Sequence, residues 1–378
     1  MRTPKLATRS VTVMAVPVLL AGMAAGIAPG APAAAARARP AGLAASFTGS
    51  GDLSGVATTS SRRAWAVGWT GSYPHYKTLT ERWNGRTWTR VPSPSPGADS
   101  SLSGVAAVSA SNAWAVGETG ATHPRTLILR WNGMAWKKVP SPSGSLSGVA
   151  ATSAGSAWAV GSNGLGKTLI LRWNGKTWKK VPSPSGSLSG VAAMSARSAW
   201  AVGRSYTKTS VKTLILRWNG EAWKRVPSPN PDAFMGSIDS LSSVAVTSTR
   251  SAWAVGDLSC GCGPGPSLIL RWNGTVWKRV PSPADAALSG VAAVSARSAW
   301  AVGYAMSGDT SFKTVILRWN GKAWKQVPSP SPGPSSDLSG VALTSARSAW
   351  AVGGTRSSTS SKPPPKTLIL RWKGKTWK

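Results

Sequence analysis

The chain has 378 residues, 42% of them apolar, which is enough to bury a large core. Its 44 Lys and Arg residues outnumber 11 Asp and Glu residues, and this excess indicates anionic partners: nucleic acid, phosphate-bearing cell-wall polymers, acidic polysaccharide or an anionic membrane surface. Only two cysteines occur, Cys260 and Cys262, which excludes a disulfide framework. Packing must therefore hold the fold together.

The N-terminus has the pattern of an export signal. Arg2, Lys5 and Arg9 precede an apolar stretch over residues 11–28, and small residues with two A-x-A cleavage options follow. We predict a signal peptide over residues 1–36 and a secreted or cell-surface protein of bacterial type. An uncleaved anchor is the alternative. No other stretch is long and apolar enough to span a bilayer.

Residues 37–52 are rich in small residues and are predicted to be a linker or a closing strand, and residues 53–378 contain seven copies of one unit. The copies begin at Leu53, Leu102, Leu146, Leu188, Leu241, Leu288 and Leu338. A period of about 48 residues with strong strand patterns is typical of a radial or solenoidal repeat protein.

Each unit is predicted to contain four strands, A to D. Strand A reads L-S-G-V-A-x-x-S, strand B reads A-W-A-V-G, and strand C reads T-L-I-L-R-W. Asn-Gly then predicts a two-residue hairpin turn into strand D, x-x-W-K-x-V, which Pro-Ser-Pro ends because proline cannot donate to a sheet. The unit is an antiparallel meander.

The sizes of the side chains favour a closed ring. In the third copy, strand A carries small residues at 148–151, whereas strand C carries Leu169, Ile170, Leu171 and Trp173. Small inner and large outer residues make a wedge, and wedges close around an axis. The sequence therefore predicts an all-β fold, a seven-bladed β-propeller of four-stranded antiparallel blades.

Loop length varies at only two places in the unit. The B–C loop has from about 6 to about 13 residues, and the D–A link from about 3 to about 11, whereas the A–B and C–D turns are constant. In a meander both variable connections emerge on one face, which we call the loop face; the constant turns define the turn face. Nearly all residues that occur in only one copy of the unit are expected on the loop face. They are Trp69, Tyr73, His75, Tyr76, His123, Tyr206, Phe234, Asp257, Cys260, Cys262, Tyr304 and Asp309.

The unit A-W-A-V-G…L-I-L-R-W-N-G-K-T-W, at 157–178, resembles two propeller families. One is the BNR/Asp-box group, which includes propellers like photosystem II assembly factors; here Leu171 and Trp173 stand in its Ser and Asp places, which removes the side-chain bonds of that box. The other is the tectonin group of lectin-like propellers. Both resemblances imply the propeller fold, and both groups have several functions.

Tryptophan is abundant, with 22 residues, three in each unit plus Trp69. Flat aromatic faces bind sugar rings, but the repeated tryptophans lie in strands where neighbouring units must pack. Burial of each contributes roughly 4–6 kcal/mol. We therefore assign the repeated tryptophans to the core and Trp69 to ligand binding.

Basic residues also repeat. An arginine precedes the tryptophan of strand C, as at Arg172, and we expect it to stack on a neighbouring indole. Paired cations such as Lys137, Lys138, Lys179 and Lys180 lie on strand D, the outer edge. Edge lysines block aggregation between strands, and binding of an anionic polymer is the alternative explanation.

Residues with catalytic chemistry are few. His75 and His123, with Tyr73, Tyr76 and Glu118, could form a small site on the loop face, but a third metal ligand is missing, so we predict no metal, cofactor or catalytic residue. Cys260 and Cys262 could form a disulfide that braces their loop.

The sequence thus predicts a monomeric, non-enzymatic binding module whose partner is an extracellular glycan, a cell-wall polymer or a protein; nucleic acid is disfavoured by export. The ligand would contact Trp69, Tyr73, His75, Tyr76, His123, Tyr206 and Tyr304. The alternative is an extracellular hydrolase or lyase that acts on polysaccharide near His75 and His123.

The export prediction has a direct test. N-terminal sequencing of secreted protein should give a first residue between about Ala33 and Arg39, because the A-x-A options lie there. Membrane-bound protein that retains Met1 would contradict it.

Overall fold

The computed structural model describes residues 48–164, 166–230, 238–259, 265–308, 311–357 and 364–378. Over these residues the chain forms β-strands and connecting turns, without a helix. The strands fall into seven repeats that match the seven sequence units. The prediction of an all-β fold is confirmed.

The first four repeats span residues 52–226. Repeat 1 contains β1 (Asp52–Ser60), β2 (Arg63–Thr70), β3 (Lys77–Trp83) and β4 (Trp88–Arg90). Repeat 2 contains β5 (Ser100–Ser109), β6 (Asn112–Thr119), β7 (Arg125–Trp131) and β8 (Trp136–Lys138). Repeat 3 contains β9 (Ser145–Ser153), β10 (Ser156–Ser162), β11 (Thr168–Trp173) and β12 (Trp178–Lys180). Repeat 4 contains β13 (Ser187–Ser195), β14 (Ser198–Tyr206), β15 (Val211–Trp218) and β16 (Trp223–Val226).

The last three repeats span residues 238–378. Repeat 5 contains β17 (Ile238–Ser248), β18 (Ser251–Ser259), β19 (Ser267–Trp272) and β20 (Trp277–Arg279). Repeat 6 contains β21 (Ala287–Ser295), β22 (Ser298–Met306), β23 (Phe312–Trp319) and β24 (Trp324–Val327). Repeat 7 contains β25 (Ser335–Ser345), β26 (Ser348–Arg356) and β27 (Lys366–Trp372).

Within a repeat the strands pair antiparallel in chain order, as predicted, with two irregularities. Repeats 4 and 5 are joined into one sheet by a parallel bridge between Val211 and Ile238. In repeat 7 the place of the fourth strand is taken by an isolated bridge between Trp372 and Trp377.

The register explains the wedge shape of a repeat. In repeat 3, Ala150, Trp158, Arg172 and Lys179 lie directly opposite one another on strands A to D. Directly opposite residues share one face of a sheet, so in this row a small alanine at the inner edge is followed outward by three large side chains. The sheet is therefore thin at its inner edge and thick at its outer edge.

The seven strands A contact one another in a closed circle, in which β25 contacts β1. They surround a cavity of about 180 Å³, lined by the Ser-Gly-Val segment of each repeat, with Ser243 in place of glycine in repeat 5. A Cβ at Gly104 would lie only 3.3 Å from the Cα of Gly148. Small residues at the inner edge are thus required for the circle to close.

The outer part of each junction is filled by tryptophan. Trp158 of repeat 3 packs on Trp218 and Trp223 of repeat 4, with ring centroids 4.9 and 5.1 Å apart. The same three-ring contact recurs at every junction, and it includes Trp350 of repeat 7 with Trp83 of repeat 1. The interpretation of the repeated tryptophans as core residues is confirmed.

The strand C arginines complete these junctions. The guanidinium carbon of Arg172 lies 5.2 Å from the ring centroid of Trp158 and 5.5 Å from that of Trp218 in the next repeat. Equivalent arginines do the same in the other six repeats. Each arginine therefore adds a cation–π contact across a junction, as predicted.

The C–D hairpin differs from the prediction in detail. Its tip is Gly175-Lys176, because the Asn174 N–H donates to the carbonyl of Thr177. The Asn174 side chain accepts from the N–H groups of Lys176 and Thr177 at 2.9 and 2.8 Å, so asparagine holds the turn through its carbonyl oxygen. Only glycine supplies the positive φ, +95° at Gly175.

The N-terminal segment at residues 48–51 lies against the outer side of β27. The Thr48 N–H donates to Oγ1 of Thr367 at 3.0 Å, and the Thr367 N–H donates to the carbonyl of Gly49 at 3.0 Å. Ser50 forms an antiparallel bridge with Lys366. The segment therefore extends the sheet of repeat 7.

Thr48 occupies at repeat 7 the place that the serine of Pro-Ser-Pro occupies in repeat 2. In repeat 2, Thr126 Oγ1 lies 2.8 Å from Oγ of Ser141 in the Pro-Ser-Pro segment, and Thr367 Oγ1 lies 2.8 Å from Oγ1 of Thr48. Thr48 precedes Leu53 by the same five positions that separate Ser141 from Leu146. The N-terminus thus supplies the Pro-Ser-Pro position of the last repeat.

The sequence pattern placed a closing strand slightly earlier, at Leu43–Phe47, which lies outside the described residues. Leu43 lies ten residues before Leu53, the offset that separates the strand D tryptophan Trp178 from Leu188. In repeat 7, however, Trp377 packs 5.1 Å from Trp300 and is fully buried. Trp377 therefore fills the place of the strand D tryptophan in repeat 7, and the closing strand at Leu43–Phe47 stays a prediction.

Deletion of residues 37–50 should lower the unfolding midpoint by several degrees and speed proteolysis of the C-terminus, because β27 loses its edge hydrogen bonds. Thermal unfolding followed by circular dichroism measures this. Deletion of residues 37–41 is the matched control and should leave the midpoint unchanged. Equal midpoints for the two deletions would show that residues 42–50 form only a linker.

Candidate functional site

Seven cross-strand pairs line the loop-face end of strands A and B, and we call them the rim. Each pair joins the residue before the strand A leucine to the residue after the strand B glycine. The pairs are Asp52–Trp69, Ser101–Glu118, Ser145–Ser162, Ser187–Arg204, Ser240–Asp257, Ala287–Tyr304 and Asp337–Gly354. No two of these pairs are identical, whereas the leucine and the glycine beneath them are the same in all seven repeats.

The position of the rim follows from a bulge in strand A. In repeat 3 the register shifts between Val160 and Gly161, which brings strand A close to strand B. A Cβ at Gly161 would lie about 2.0 Å from the carbonyl oxygen of Ser145, so only glycine fits. The invariant Leu-Gly layer therefore fixes the backbone, and the next residue on each strand is free to vary.

Repeat 1 carries an aromatic cluster on this face. The rings of Trp69 and Tyr76 lie 4.2 Å apart, and Tyr73 lies 6.2 Å from Tyr76. Tyr73 is 71% exposed, and His75 beside it is exposed as well. Three predicted ligand residues are thus brought together as one partly exposed aromatic surface.

Arg356, at the end of β26, connects the rims of repeats 7 and 1. Its guanidinium donates to Asp52 of repeat 1 at 2.7 Å and to Asp337 of repeat 7 at 2.9 Å. Burial raises the pKa of Asp52 to about 7, with a further increase from Asp337, against the lowering effect of Arg356. Burial also raises the pKa of Asp337.

Polar contacts continue through repeats 6 and 5. Burial raises the pKa of Tyr304, and the charges of Asp257 and Asp337 raise this pKa further. Its ring packs on Phe312 at 5.0 Å. Asp257 accepts a hydrogen bond from Ser240 at 2.9 Å, and burial raises its pKa.

In repeat 4 the rim residue is basic. Arg204 donates from Nε to the hydroxyl of Tyr206 at 3.0 Å, and Tyr206 is half exposed. An arc of polar and aromatic side chains therefore runs from repeat 4 through repeats 5, 6 and 7 to repeat 1.

The remaining predicted residues lie apart from this arc. His123 is exposed in repeat 2, where its Nδ1 lies 3.2 Å from Thr122 Oγ1, and Glu118 accepts a hydrogen bond from Ser145. The structure records no contact between His75 and His123. Among the described residues there is no group of three or more His, Cys, Asp or Glu side chains that could hold a metal ion.

Several predicted positions lie outside the described residues, namely Phe234, Cys260, Cys262 and Asp309. The proposed disulfide therefore stays a prediction. No helix able to cross a bilayer occurs in the part of the chain that the structure describes.

The sequence analysis missed Asp52, Asp337 and Arg356. A signal was present, since the residue before the strand A leucine is aspartate only in the first and last repeats. Those repeats are neighbours once the ring closes, so two buried carboxylates at one junction require a shared cation.

Solved structures with the same arrangement of strands are numerous. YCF48 bound to a D1 peptide superposes with a TM-score of 0.57 at 15% identity, over 86% of this chain and 94% of that one. The WD40 beta propeller domain of Doa1 gives 0.57 at 11% identity, over 86% and 95%. The chain is a β-propeller.

An ulvan lyase bound to -[GlcA(1-4)Rha3S]- also superposes, with a TM-score of 0.56 at 9% identity, over 88% of this chain and 96% of that one. At identities this low, the superpositions show a shared fold and leave the activity of this chain open. No family model matches the chain, and no curated protein matches it.

The buried carboxylates predict a pH dependence of stability. Between about pH 4 and 7 Asp52 keeps its proton in the folded state but loses it in the unfolded state, so the stabilisation that it provides at low pH is lost as the pH rises through 7. The melting temperature should fall by at least about 2 °C from pH 5 to pH 8.

Asp52→Asn, which cannot ionise, should flatten this slope, and Asp285→Asn on an exposed link is the control. A slope in Asp52→Asn equal to that of the unmodified protein would contradict the assignment.

Proposed function

We propose that this chain is an exported, seven-bladed propeller that acts as a monomeric, non-enzymatic binding module for an extracellular or cell-envelope ligand. The ligand would lie on the loop face, across the rim and the aromatic cluster of repeat 1. The observation that carries the proposal is the contrast between an invariant Leu-Gly layer and a rim without repetition directly above it. Packing of the Leu-Gly layer does not require the pairs above it to differ, so their differences support a ligand on this face.

The chemistry of the rim favours a glycan as the ligand. The exposed ring of Tyr73, supported by Tyr76 and Trp69, offers a flat apolar surface to the C–H face of a sugar. Carboxylate and phenol groups at Asp257, Tyr304 and neighbouring rim positions can accept hydrogen bonds from sugar hydroxyl groups.

A protein ligand is the second candidate, because Asp257 of the arc can pair with a lysine or arginine side chain of a partner. The similar structures include one with a bound peptide and one with a bound saccharide, so the fold accommodates both kinds of ligand.

An enzyme remains the alternative from a different class. Raised pKa values at Asp52, Asp257, Asp337 and Tyr304 are typical of catalytic sites as well as of buried ion-pair networks. A hydrolase or lyase would release reducing ends or unsaturated products from polysaccharide. A screen of polysaccharides for these products tests this alternative. Turnover of any polysaccharide by the unmodified protein, with loss of turnover in Tyr304→Phe, would favour the enzyme.

The binding proposal predicts the effect of four substitutions together. Replacement of Trp69, Tyr73, His75 and Tyr76 by alanine should weaken binding at least tenfold, because aromatic anchors contribute most to such interfaces. The melting temperature should change little, since these side chains lie at the exposed loop face. A glycan array, followed by titration calorimetry with the best hit, measures binding.

Met134→Ala with Met194→Ala, which removes exposed apolar side chains elsewhere, is the control and should bind normally. If the loop-face variant binds this ligand normally while charge reversal at Lys137, Lys138, Lys179 and Lys180 abolishes binding, the proposed site is wrong.

A further inference from the structure

The outer edge of the propeller carries a second feature that the loop face does not explain. In six repeats the strand C arginine lies directly opposite a lysine of the outermost segment. The pairs are Arg130–Lys137, Arg172–Lys179, Arg217–Lys224, Arg271–Lys278, Arg318–Lys325 and Arg371–Lys378. We call these six pairs the cationic belt. Repeat 1 lacks a pair because Thr89 stands opposite Arg82.

The two positive charges of each belt pair repel each other. Directly opposite residues on an antiparallel pair share one face, and like charges there are destabilising. Between described residues, the two ion pairs of the structure both involve Arg356, so no described acid neutralises a belt residue. A repulsive contact kept in six repeats indicates an external anion.

Acidic residues are segregated from the belt. Most described acids lie at the starts of strand A, the ends of strand B or the links of the loop face: Asp52, Asp99, Glu118, Asp239, Asp257, Asp285 and Asp337. Glu221 alone lies in a described turn-face hairpin, and Glu81 is buried in β3. The outer edge therefore carries an excess of positive charge with little local compensation.

Blocking of strand aggregation explains only part of this pattern. An exposed lysine on the short outer strand is sufficient for that task. It does not require the lysine to share a face with an arginine that is held between two indoles. The fixed arginine and the mobile lysine side by side instead suit a divalent or closely spaced anion such as phosphate.

A cavity at one belt position has room for such a group. It has a volume of about 490 Å³ between repeats 3 and 4 and is lined by Arg172, Lys179 and Lys180 together with Ala196 of the next repeat. Arg172 also donates to the carbonyl of Ala196 at 3.4 Å, which holds its guanidinium at the mouth of the junction.

The shape of the belt and the residues beside it indicate which class of anionic partner it can bind. The six pairs follow the perimeter of a ring, and a flexible chain can follow a perimeter, whereas a flat bilayer meets one face. The tryptophans next to the belt arginines are buried, so no aromatic surface is open to nucleic-acid bases there.

We propose that the cationic belt binds a flexible, base-free, phosphate-bearing polymer of the cell envelope, independently of the loop-face ligand. The propeller would then hold its loop-face ligand while it is attached to an anionic polymer through its edge.

The test uses long-chain polyphosphate as the probe and four charge reversals, Lys137→Glu, Lys179→Glu, Lys224→Glu and Lys278→Glu. Binding to polyphosphate at about 0.1 M salt should weaken at least tenfold, and the slope of log affinity against log salt should become shallower because fewer counterions are released. The melting temperature should stay constant or rise, since each new carboxylate lies opposite an arginine.

The matched control reverses four exposed lysines of the loop face, Lys77, Lys167, Lys208 and Lys313, and so changes the net charge equally. Its affinity for polyphosphate should stay within about twofold of that of the unmodified protein, because the control charges lie away from the belt. Equal losses of affinity in both variants would show that net charge alone attracts the polymer, and this result would overturn the proposal that the belt is the binding site.

Two further outcomes would also overturn the proposal. One is absence of polyphosphate binding by the unmodified protein at that salt concentration. The other is tighter binding of single-stranded DNA than of polyphosphate of equal charge, which would make nucleic acid the partner. The loop-face alanine variant should bind polyphosphate normally, so failure of either site is recognised separately.

Discussion

The contact between one tryptophan of strand B and two tryptophans of the next repeat is the interaction on which the rest of the structure depends. Along the row Ala150, Trp158, Arg172 and Lys179 a small inner side chain is followed by three large ones, so each sheet is a wedge and its thick end meets the next repeat as packed indoles. Aromatic contacts at these distances add stabilisation to the large area buried. With the ring fixed in this way, the residues above the Leu-Gly layer and at the outer edge are released from packing and can bind partners.

The junction between repeats 7 and 1 has the same indole packing but its own polar contacts. Thr48 hydrogen-bonds Glu81, which stands in β3 where other repeats have leucine, and Arg356 joins Asp52 to Asp337. Seven nearly identical wedges could also associate with wedges of another chain, and contacts found at one junction alone disfavour that alternative. Removal of one partner from such a buried cluster leaves a charge uncompensated, so the first and last repeats recognise each other specifically.

Repetition made the scaffold predictable from the sequence. Seven copies of A-W-A-V-G and of the strand C pattern that ends in Arg-Trp allowed the strands, their order and the tryptophan positions to be predicted, because each copy faces the same neighbours. The closing contacts were harder to predict, since they join residues such as Thr48 and Thr367 that are separated by nearly the whole chain. The rim was partly predicted: Trp69, Tyr73 and Tyr76 were identified as residues unique to one repeat, but Asp52 and Arg356 became partners only through ring closure. The like-charged belt pairs required the register between strands C and D, which sequence spacing alone does not give.

The most direct test of this account is thermal unfolding of Trp253→Ala, measured together with binding of the loop-face ligand and of polyphosphate. Trp253 is fully buried against Trp319 and Trp324, so its loss should cost about 3–5 kcal/mol and lower a single cooperative melting transition. Below that transition both affinities should match those of the unmodified protein. An unchanged melting temperature with loss of either affinity would contradict the account, because it would make the repeated tryptophans ligand-binding residues.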